Sequence, residues 1–276
     1  MSLKLMYITN NPSIAKIAEN NGVDRIFIDL EYIGKSKRQH GMDTVKSGHT
    51  IDDVAKIRNV ITNSQLLVRV NPIHSEIDGY PASKEEIDAV INNGADIVML
   101  PYFKTVQEVK EFITYVNRRA TTMLLLETPE AVDCLDEILK IEGIDEIHIG
   151  LNDLSIGYNL DFLFAPLANG TVDSIIDKIK ASGIPYGFGG IASLGKGLLH
   201  SEYVIAEHYR LGSSFAILSR SFCNASEISD LKEVEHLFSV GVSDIRDFEN
   251  KCKNGEIDFE KNRLFVKERV KEIMGE

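Results

Sequence analysis

The sequence predicts an α/β fold, a (β/α)8 TIM barrel with an extended C-terminal helical tail. Three observations carry that expectation. Short β-rich apolar runs alternate with amphipathic helical patterns along the chain, and eight such pairs can be counted. The length, 276 residues, suits one barrel with an extension, since such barrels typically use about 250. Strand–helix alternation implies a parallel sheet, and eight strands close it. An open doubly wound sheet would carry a glycine-rich phosphate turn after its first strand, and Thr9-Asn10-Asn11-Pro12 is not one.

In chain order, the expected strand Lys4–Thr9 feeds the helix Pro12–Asn21, which Gly22 ends. Strand Arg25–Tyr32 leads through a long loop, Gly34 to His49, to helix Ile51–Thr62. Strand Leu66–Asn71 precedes helix Lys84–Asn93 and Gly94; strand Asp96–Tyr102 precedes helix Val106–Asn117. Strand Thr122–Glu127 precedes helix Pro129–Ile141 and Gly143, and strand Glu146–Leu151 precedes helix Val172–Ala181 and Gly183. Strand Pro185–Gly190, helix Leu198–Arg210, Gly212 and strand Ser214–Leu218 complete the series, with helical sequence from Glu227 onward. Glycine directly after a helix suits the left-handed cap that ends it. Residues 1–222 thus form the barrel and 223–276 a helical extension that belongs to the barrel fold and to oligomerisation. Its last piece, Phe259–Ile273, carries Phe259, Leu264, Phe265, Val266, Val270 and Ile273 among charges, a sticky face expected either to meet a neighbouring subunit or to pack back on its own barrel.

Composition excludes several function classes. Hydrophobic residues make up 43% and charged ones 26%, as in ordinary globular proteins, so wholesale disorder is excluded. The net charge of -12 argues against nucleic-acid or anionic-membrane binding over the general surface. The three cysteines are too scattered for a disulfide framework or a Cys-based zinc site, which fits a reduced, cytoplasmic setting. No apolar run approaches the about 18 residues that would suggest a membrane span.

Alternation within the strands picks out the chemistry. Ile26, Ile28 and Leu30 suit the helix side, which turns Asp29 and Glu31 inward at the strand end. By the same parity Arg69 and Glu127 face inward, and Asp153 stands just past the sixth strand. Barrel active sites form at this rim. One arginine cannot neutralise four carboxylates, and each unpaired buried charge costs several kcal/mol. A divalent cation would balance the rest, and the oxygen pair Glu127 and Asp153 suits Mg²⁺ or Mn²⁺. A purely structural Arg–carboxylate network is the alternative.

Five blocks then occur in order: Phe27-Ile28-Asp29-Leu30-Glu31, Val68-Arg69-Val70-Asn71, Val98-Met99-Leu100-Pro101, Leu126-Glu127-Thr128-Pro129-Glu130-Ala131 and Ile149-Gly150-Leu151-Asn152-Asp153-Leu154-Ser155. Over residues 25–160 the chain resembles the HpcH/HpaI aldolase and citrate lyase β-subunit family, metal-dependent pyruvate aldolases and acyl-CoA lyases. The resemblance implies a (β/α)8 barrel whose subunits exchange C-terminal helices, hence a homo-oligomer, a trimer or hexamer. It makes Glu127 and Asp153 the metal ligands and puts Arg69 on the carbonyl or enolate oxygen of a 2-oxo acid. Backbone amides around Gly150, Asn152 and Asp153 would receive the substrate carboxylate, while Asp29 and Glu31 orient Arg69 or metal-bound water. The chain departs from the family where the aldolase branch has His after the Asp-x-Glu pair and the lyase branch has Asp: here stands Tyr32. His40 and His49, in the following loop, are then the nearest candidate bases, with a metal-bound water as the equal alternative.

That loop holds four Lys or Arg and one acid, against the sign of the whole chain. Such a run is either solvated surface or a basic lid, in which Lys37 and Arg38 would attract an anionic substrate. Gly187-Phe188-Gly189-Gly190 lies where barrels bind phosphate, although close backbone approach explains the glycines equally well. His148 reads as a core histidine. The expected activity is a divalent-metal-dependent carbon–carbon lyase working through a pyruvate-like enolate. The alternatives are an acyl-CoA lyase of malyl-, citramalyl- or citryl-CoA type and a non-catalytic 2-oxo-acid-binding accessory barrel.

Overall fold

Alternation along the strands divides the apolar residues between two cores in the computed structural model, which describes residues 2–34, 48–77, 79–225 and 227–275. Met6, Phe27, Leu67, Met99, Met123, Leu125 and Phe215 fill the barrel interior. Ile26, Ile28, Val68, Leu124 and Ile149 pack outward against the helices. The strands are β1 (Lys4–Ile8), β2 (Arg25–Asp29), β3 (Gln65–Arg69), β4 (Ile97–Leu100), β5 (Thr121–Leu126), β6 (Glu146–Ile149), β7 (Tyr186–Ile191) and β8 (Phe215–Leu218). Each pairs in parallel with the next, and β8 returns to β1 with Ala216 beside Leu5, closing the barrel.

The helices described are α1 (Pro12–Asn20), α2 (Ile51–Arg58), α3 (Ser83–Asn92), α4 (Val106–Val116), α5 (Pro129–Asp133), α6 (Leu135–Ile138), α7 (Leu151–Gly157), α8 (Ala165–Ala168), α9 (Thr171–Ser182), α10 (Ser201–Leu211), α11 (Leu231–Lys253) and α12 (Phe259–Met274). Local sequence explains their ends. Asn11 caps α1 by accepting from the amides of Ser13 and Ile14, with Pro12 at the first helical position. Thr105 and Glu108 form a reciprocal capping box on α4.

Several boundaries differ from the sequence expectation. The first six strands end earlier than their apolar runs, leaving Glu31, Asn71, Tyr102 and Glu127 beyond the strands in irregular backbone at the barrel mouth. The single helix expected over 129–141 is two, broken at Cys134, which leaves helical geometry. The helix expected from Leu198 begins at Ser201, because His200 is extended. The short helices α7 and α8 carry too few turns to show a period.

Helix α11 takes the eighth place in the outer ring, against α1 and α10. Its Glu249 accepts from the Leu3 amide at 2.6 Å, and its Arg246 donates to the Leu3 carbonyl at 2.7 Å, tying the chain ahead of β1 to the C-terminal region. Within the single chain, part of the apolar face of α12 packs against its own barrel. Val266 and Val270 are buried there, and Asn262 donates to Glu207 on α10 at 2.9 Å. Leu264, on another face of α12, is exposed.

At the opposite end from the mouth, Arg25 points into the barrel. It forms two 2.7 Å bonds to Glu146, takes a third acceptor in Gln65 and lies over the Phe215 ring. A buried charge is tolerable there because its partner is bidentate and matched. Among the described residues no helix is long and apolar enough to cross a membrane.

Candidate active site

The β2–β3 register places Asp29 beside Arg69. Both side chains face the interior at the strands' C-terminal ends, and the guanidinium forks onto the carboxylate. Nε and Nη2 donate to Oδ1 and Oδ2 at 2.8 Å each, while Nη1 stands 3.4 Å from Glu31. The Glu31 amide donates to Asp29 Oδ1, so the two acids share one turn. Burial works against the Arg69 charge, but Asp29, Glu31 and Glu127 outweigh it and raise its pKa. Arg69 is therefore a fixed cation with a fixed orientation.

Glu127 follows β5 directly and Asp153 sits in the first turn of α7. Both line one cavity of about 320 Å³ at the mouth, together with Tyr102, Lys104, Glu130 and Ile156. Thr128 steadies the Glu127 backbone: its hydroxyl donates to the Phe103 carbonyl at 2.7 Å and caps α5 by accepting from Ala131. The Tyr102 amide donates to Glu127 Oε1 at 3.0 Å from a left-handed backbone, φ 48°. Such a conformation is uncommon for a bulky residue and is kept where the surroundings impose it. Gly150 supplies room: a Cβ there would stand 2.7 Å from Glu127 Oε2. On the cavity's outer edge Lys104 pairs with Glu130 at 2.7 Å and lies over the Tyr102 ring.

The structure thus brings Asp29, Glu31, Arg69, Glu127 and Asp153 to one end of the barrel, as parity predicts. It corrects other expectations. The Gly150 amide donates to the Leu126 carbonyl, so it is committed to the strand; the remaining candidates for a substrate carboxylate are the later first-turn amides of α7. His49 accepts the Asp29 amide on Nδ1 at 3.0 Å, and in the neutral ring its other nitrogen then carries the proton. It is placed as a holder of Asp29. Tyr32, at the position where the aldolase branch has histidine, donates its hydroxyl to the His49 carbonyl. His40, Lys37 and Arg38 lie outside the described residues. Gly187 serves close approach: a Cβ would stand 2.2 Å from the Phe215 carbonyl oxygen. His148 is a core histidine bonded to the Gly189 carbonyl at 3.1 Å, with its Nδ1 unpartnered. Sequence reasoning misses Tyr102, Lys104 and Thr128. Of these only Thr128 leaves a signal, a threonine before a proline at a helix start.

The sequence profile of the HpcH/HpaI aldolase/citrate lyase family matches residues 4–162. The chain belongs to that family. Among curated relatives it is 25% identical over 212 residues to the 2-keto-3-deoxy-L-rhamnonate aldolase of Escherichia coli K12, covering 65% of this chain and 71% of the relative. Solved structures with the same fold include an HpcH/HpaI aldolase/citrate lyase family protein from Burkholderia cenocepacia J2315, with TM-score 0.61, 15% identity, and 84% and 94% of the two chains covered. Another is the HpcH/HpaI aldolase of Desulfitobacterium hafniense DCB-2, with TM-score 0.60, 15% identity, and 83% and 95% covered.

Aldolases of the HpcH/HpaI family depend on a divalent metal. The residues present fit one: two carboxylates line a single cavity, and a side-chain-free Gly150 lies against one of them. Among the described residues no group of three or more His, Cys, Asp or Glu is arranged to hold a metal. An all-oxygen pair, with other shell positions left to solvent and substrate, is the ordinary arrangement for Mg²⁺.

Proposed function

We propose that this member of the HpcH/HpaI family is a divalent-metal-dependent carbon–carbon lyase of the aldolase type, which makes and breaks a bond through a pyruvate-like enolate. One observation carries the reading: Glu127 and Asp153 line the same cavity, at the barrel end where Asp29 fixes the Arg69 cation in two bonds. Glu127 and Asp153 would hold the metal, Mg²⁺ or Mn²⁺. When bound, the metal supplies a Lewis acid for a carbonyl oxygen. Arg69 donates to the oxygen on which negative charge develops as the bond beside the carbonyl breaks, and a preorganised donor acts most strongly on such charge. Asp29 and Glu31 keep the guanidinium aimed, so little reorganisation accompanies the reaction. The first turn of α7 receives the 2-oxo acid's carboxylate through its amides. His40 or His49 is the imidazole proposed for proton transfer.

The cytoplasmic setting and the homo-oligomer are parts of the same proposal. The test is deuterium exchange into the methyl group of pyruvate, with and without Mg²⁺ or Mn²⁺. Metal-dependent exchange is expected, and no exchange under any metal condition would defeat the enolate reading. Metal content after Glu127→Ala tests the ligand assignment, which an unchanged stoichiometry would sink. The Asp29-Leu30-Glu31 sequence keeps the acyl-CoA lyase as the second reading, and a rise in thermal stability on adding coenzyme A would favour it.

A further inference from the structure

Glu86 lies on α3, outside the barrel wall and away from every residue given a chemical role above. It is buried, 4% exposed, and burial raises its pKa. Both of its oxygens are spent on one residue. Asn71, two positions past Arg69, donates its backbone amide to Glu86 Oε2 at 3.1 Å and its side-chain amide to Oε1 at 2.7 Å. That fixes which way the Asn71 amide faces. Its carbonyl oxygen then accepts two backbone amides from the neighbouring strand end, Tyr32 at 2.8 Å and Ile33 at 2.9 Å. The Tyr32 hydroxyl in turn donates to the His49 carbonyl, and the His49 ring accepts the Asp29 amide.

These bonds form a continuous path, Glu86 to Asn71 to Tyr32 to His49 to Asp29, and Asp29 grips Arg69 in two bonds. The path encloses the turn that carries Glu31. We infer that Glu86 and Asn71 are positioning residues for the enolate-stabilising Arg69, which they serve by fixing the 30–33 turn. The inference rests on the role proposed for Arg69 above. It explains why a buried acid is kept beside an amide. Asn71 offers two donors to Glu86 and two acceptor lone pairs to the turn, and a carboxylate opposite takes both donors and leaves the oxygen to Tyr32 and Ile33.

The polarity of this pair can be exchanged, which provides the test. In E86Q, one of the two Asn71 donors meets an NH₂ group in place of an oxygen. In N71D/E86Q every bond is restored with roles reversed. The backbone amide at position 71 donates to the oxygen of the introduced glutamine, whose NH₂ donates to one oxygen of the introduced aspartate. The other aspartate oxygen accepts the amides of Tyr32 and Ile33. Two readouts are taken on the intact protein: amide hydrogen exchange of the peptide containing residues 30–34, and metal-dependent deuterium exchange into pyruvate.

For E86Q the expected result is faster amide exchange in that peptide and a kcat for pyruvate exchange lower by about 10-fold, as small misplacements of catalytic groups produce. Metal content and the pyruvate KM stay the same. N71D/E86Q returns both readouts toward the starting protein. An unchanged kcat in E86Q, or a double variant as impaired as the single one, overturns the inference. Absence of pyruvate exchange in the unsubstituted protein would instead sink the enolate reading. Amide protection lost in E86Q and regained in the double variant would then still support the hold of Glu86 on the turn, and unaltered protection would refute it.

Discussion

A Cβ at Gly150 would stand 2.7 Å from Oε2 of Glu127 and 2.8 Å from its Cβ. Rotating the carboxylate alone cannot relieve both contacts, because the second involves the root of the side chain. The Gly150 backbone, φ -82°, accepts any residue, so the clash is between side chains alone. Gly150→Ala is expected to fold, to lose about 1–3 kcal/mol of stability from overpacking, and to bind Mn²⁺ at least about 10-fold more weakly as Glu127 is displaced. Titration calorimetry with Mn²⁺ beside a denaturant melt separates the two effects; unchanged affinity would remove Glu127 from the metal site.

Arg69→Lys keeps the charge and loses the fork. A lysine cannot bridge both oxygens of Asp29 and also reach Glu31. Pyruvate exchange is expected to fall by about 100-fold in kcat, within the range seen when one donor to a developing oxyanion is removed. Metal content is expected to hold, since Arg69 is not a ligand. A loss confined to KM would place Arg69 in ground-state binding.

The bond from the Asp29 amide to His49 separates two roles for that imidazole. An asparagine oxygen can stand near the place of Nδ1 and accept the same amide, whereas alanine cannot. His49→Asn is expected to keep pyruvate exchange within a few-fold, and His49→Ala to lose about 1–3 kcal/mol of stability through the orphaned buried amide. Equal, near-complete loss of exchange in both variants would restore His49 as the base.

Acid sensitivity is expected from two buried imidazoles. Burial, first of all, lowers the pKa of His148 to about 3, with Arg25 and Arg69 adding to the fall against the Gly189 carbonyl. Burial and the neighbouring His148 lower that of His208 to about 3 as well. From the ordinary value of 6.5 down to about 3, the unfolded chain binds protons that the folded chain refuses. Stability present above that window is lost as pH falls through it. His208 stacks flat on Phe188 at 3.8 Å, so His208→Phe preserves the apolar contact. Urea melts at pH 7, 6 and 5 should then show a slope reduced by up to one proton, about 1.4 kcal/mol per pH unit.

Alternation made the main site legible. Because strand side chains repeat every two residues, the apolar partners of Arg69 and Glu127 betray which way each points, and neighbouring strands bring the inward set together. Nothing comparable marks Tyr102, whose contribution is a backbone amide, or Gly150, whose contribution is an absent side chain. Glu86 is hidden for another reason. On a helix it reads as one more surface acid, and only its two bonds from Asn71, just past β3, and its burial in the fold show otherwise. The α12 face stayed ambiguous, since a stripe of apolar residues does not specify whose barrel it covers.

The Arg25–Glu146 pair has a consequence for traffic. With that pair seated across the barrel's lower end, and Phe27, Leu67, Met123, Leu125 and Phe215 stacked above it, the barrel is blind-ended. Substrate, product, solvent protons and metal must then share one doorway at the strands' C-terminal ends. Whatever covers that doorway would set the order of arrival and departure for all of them.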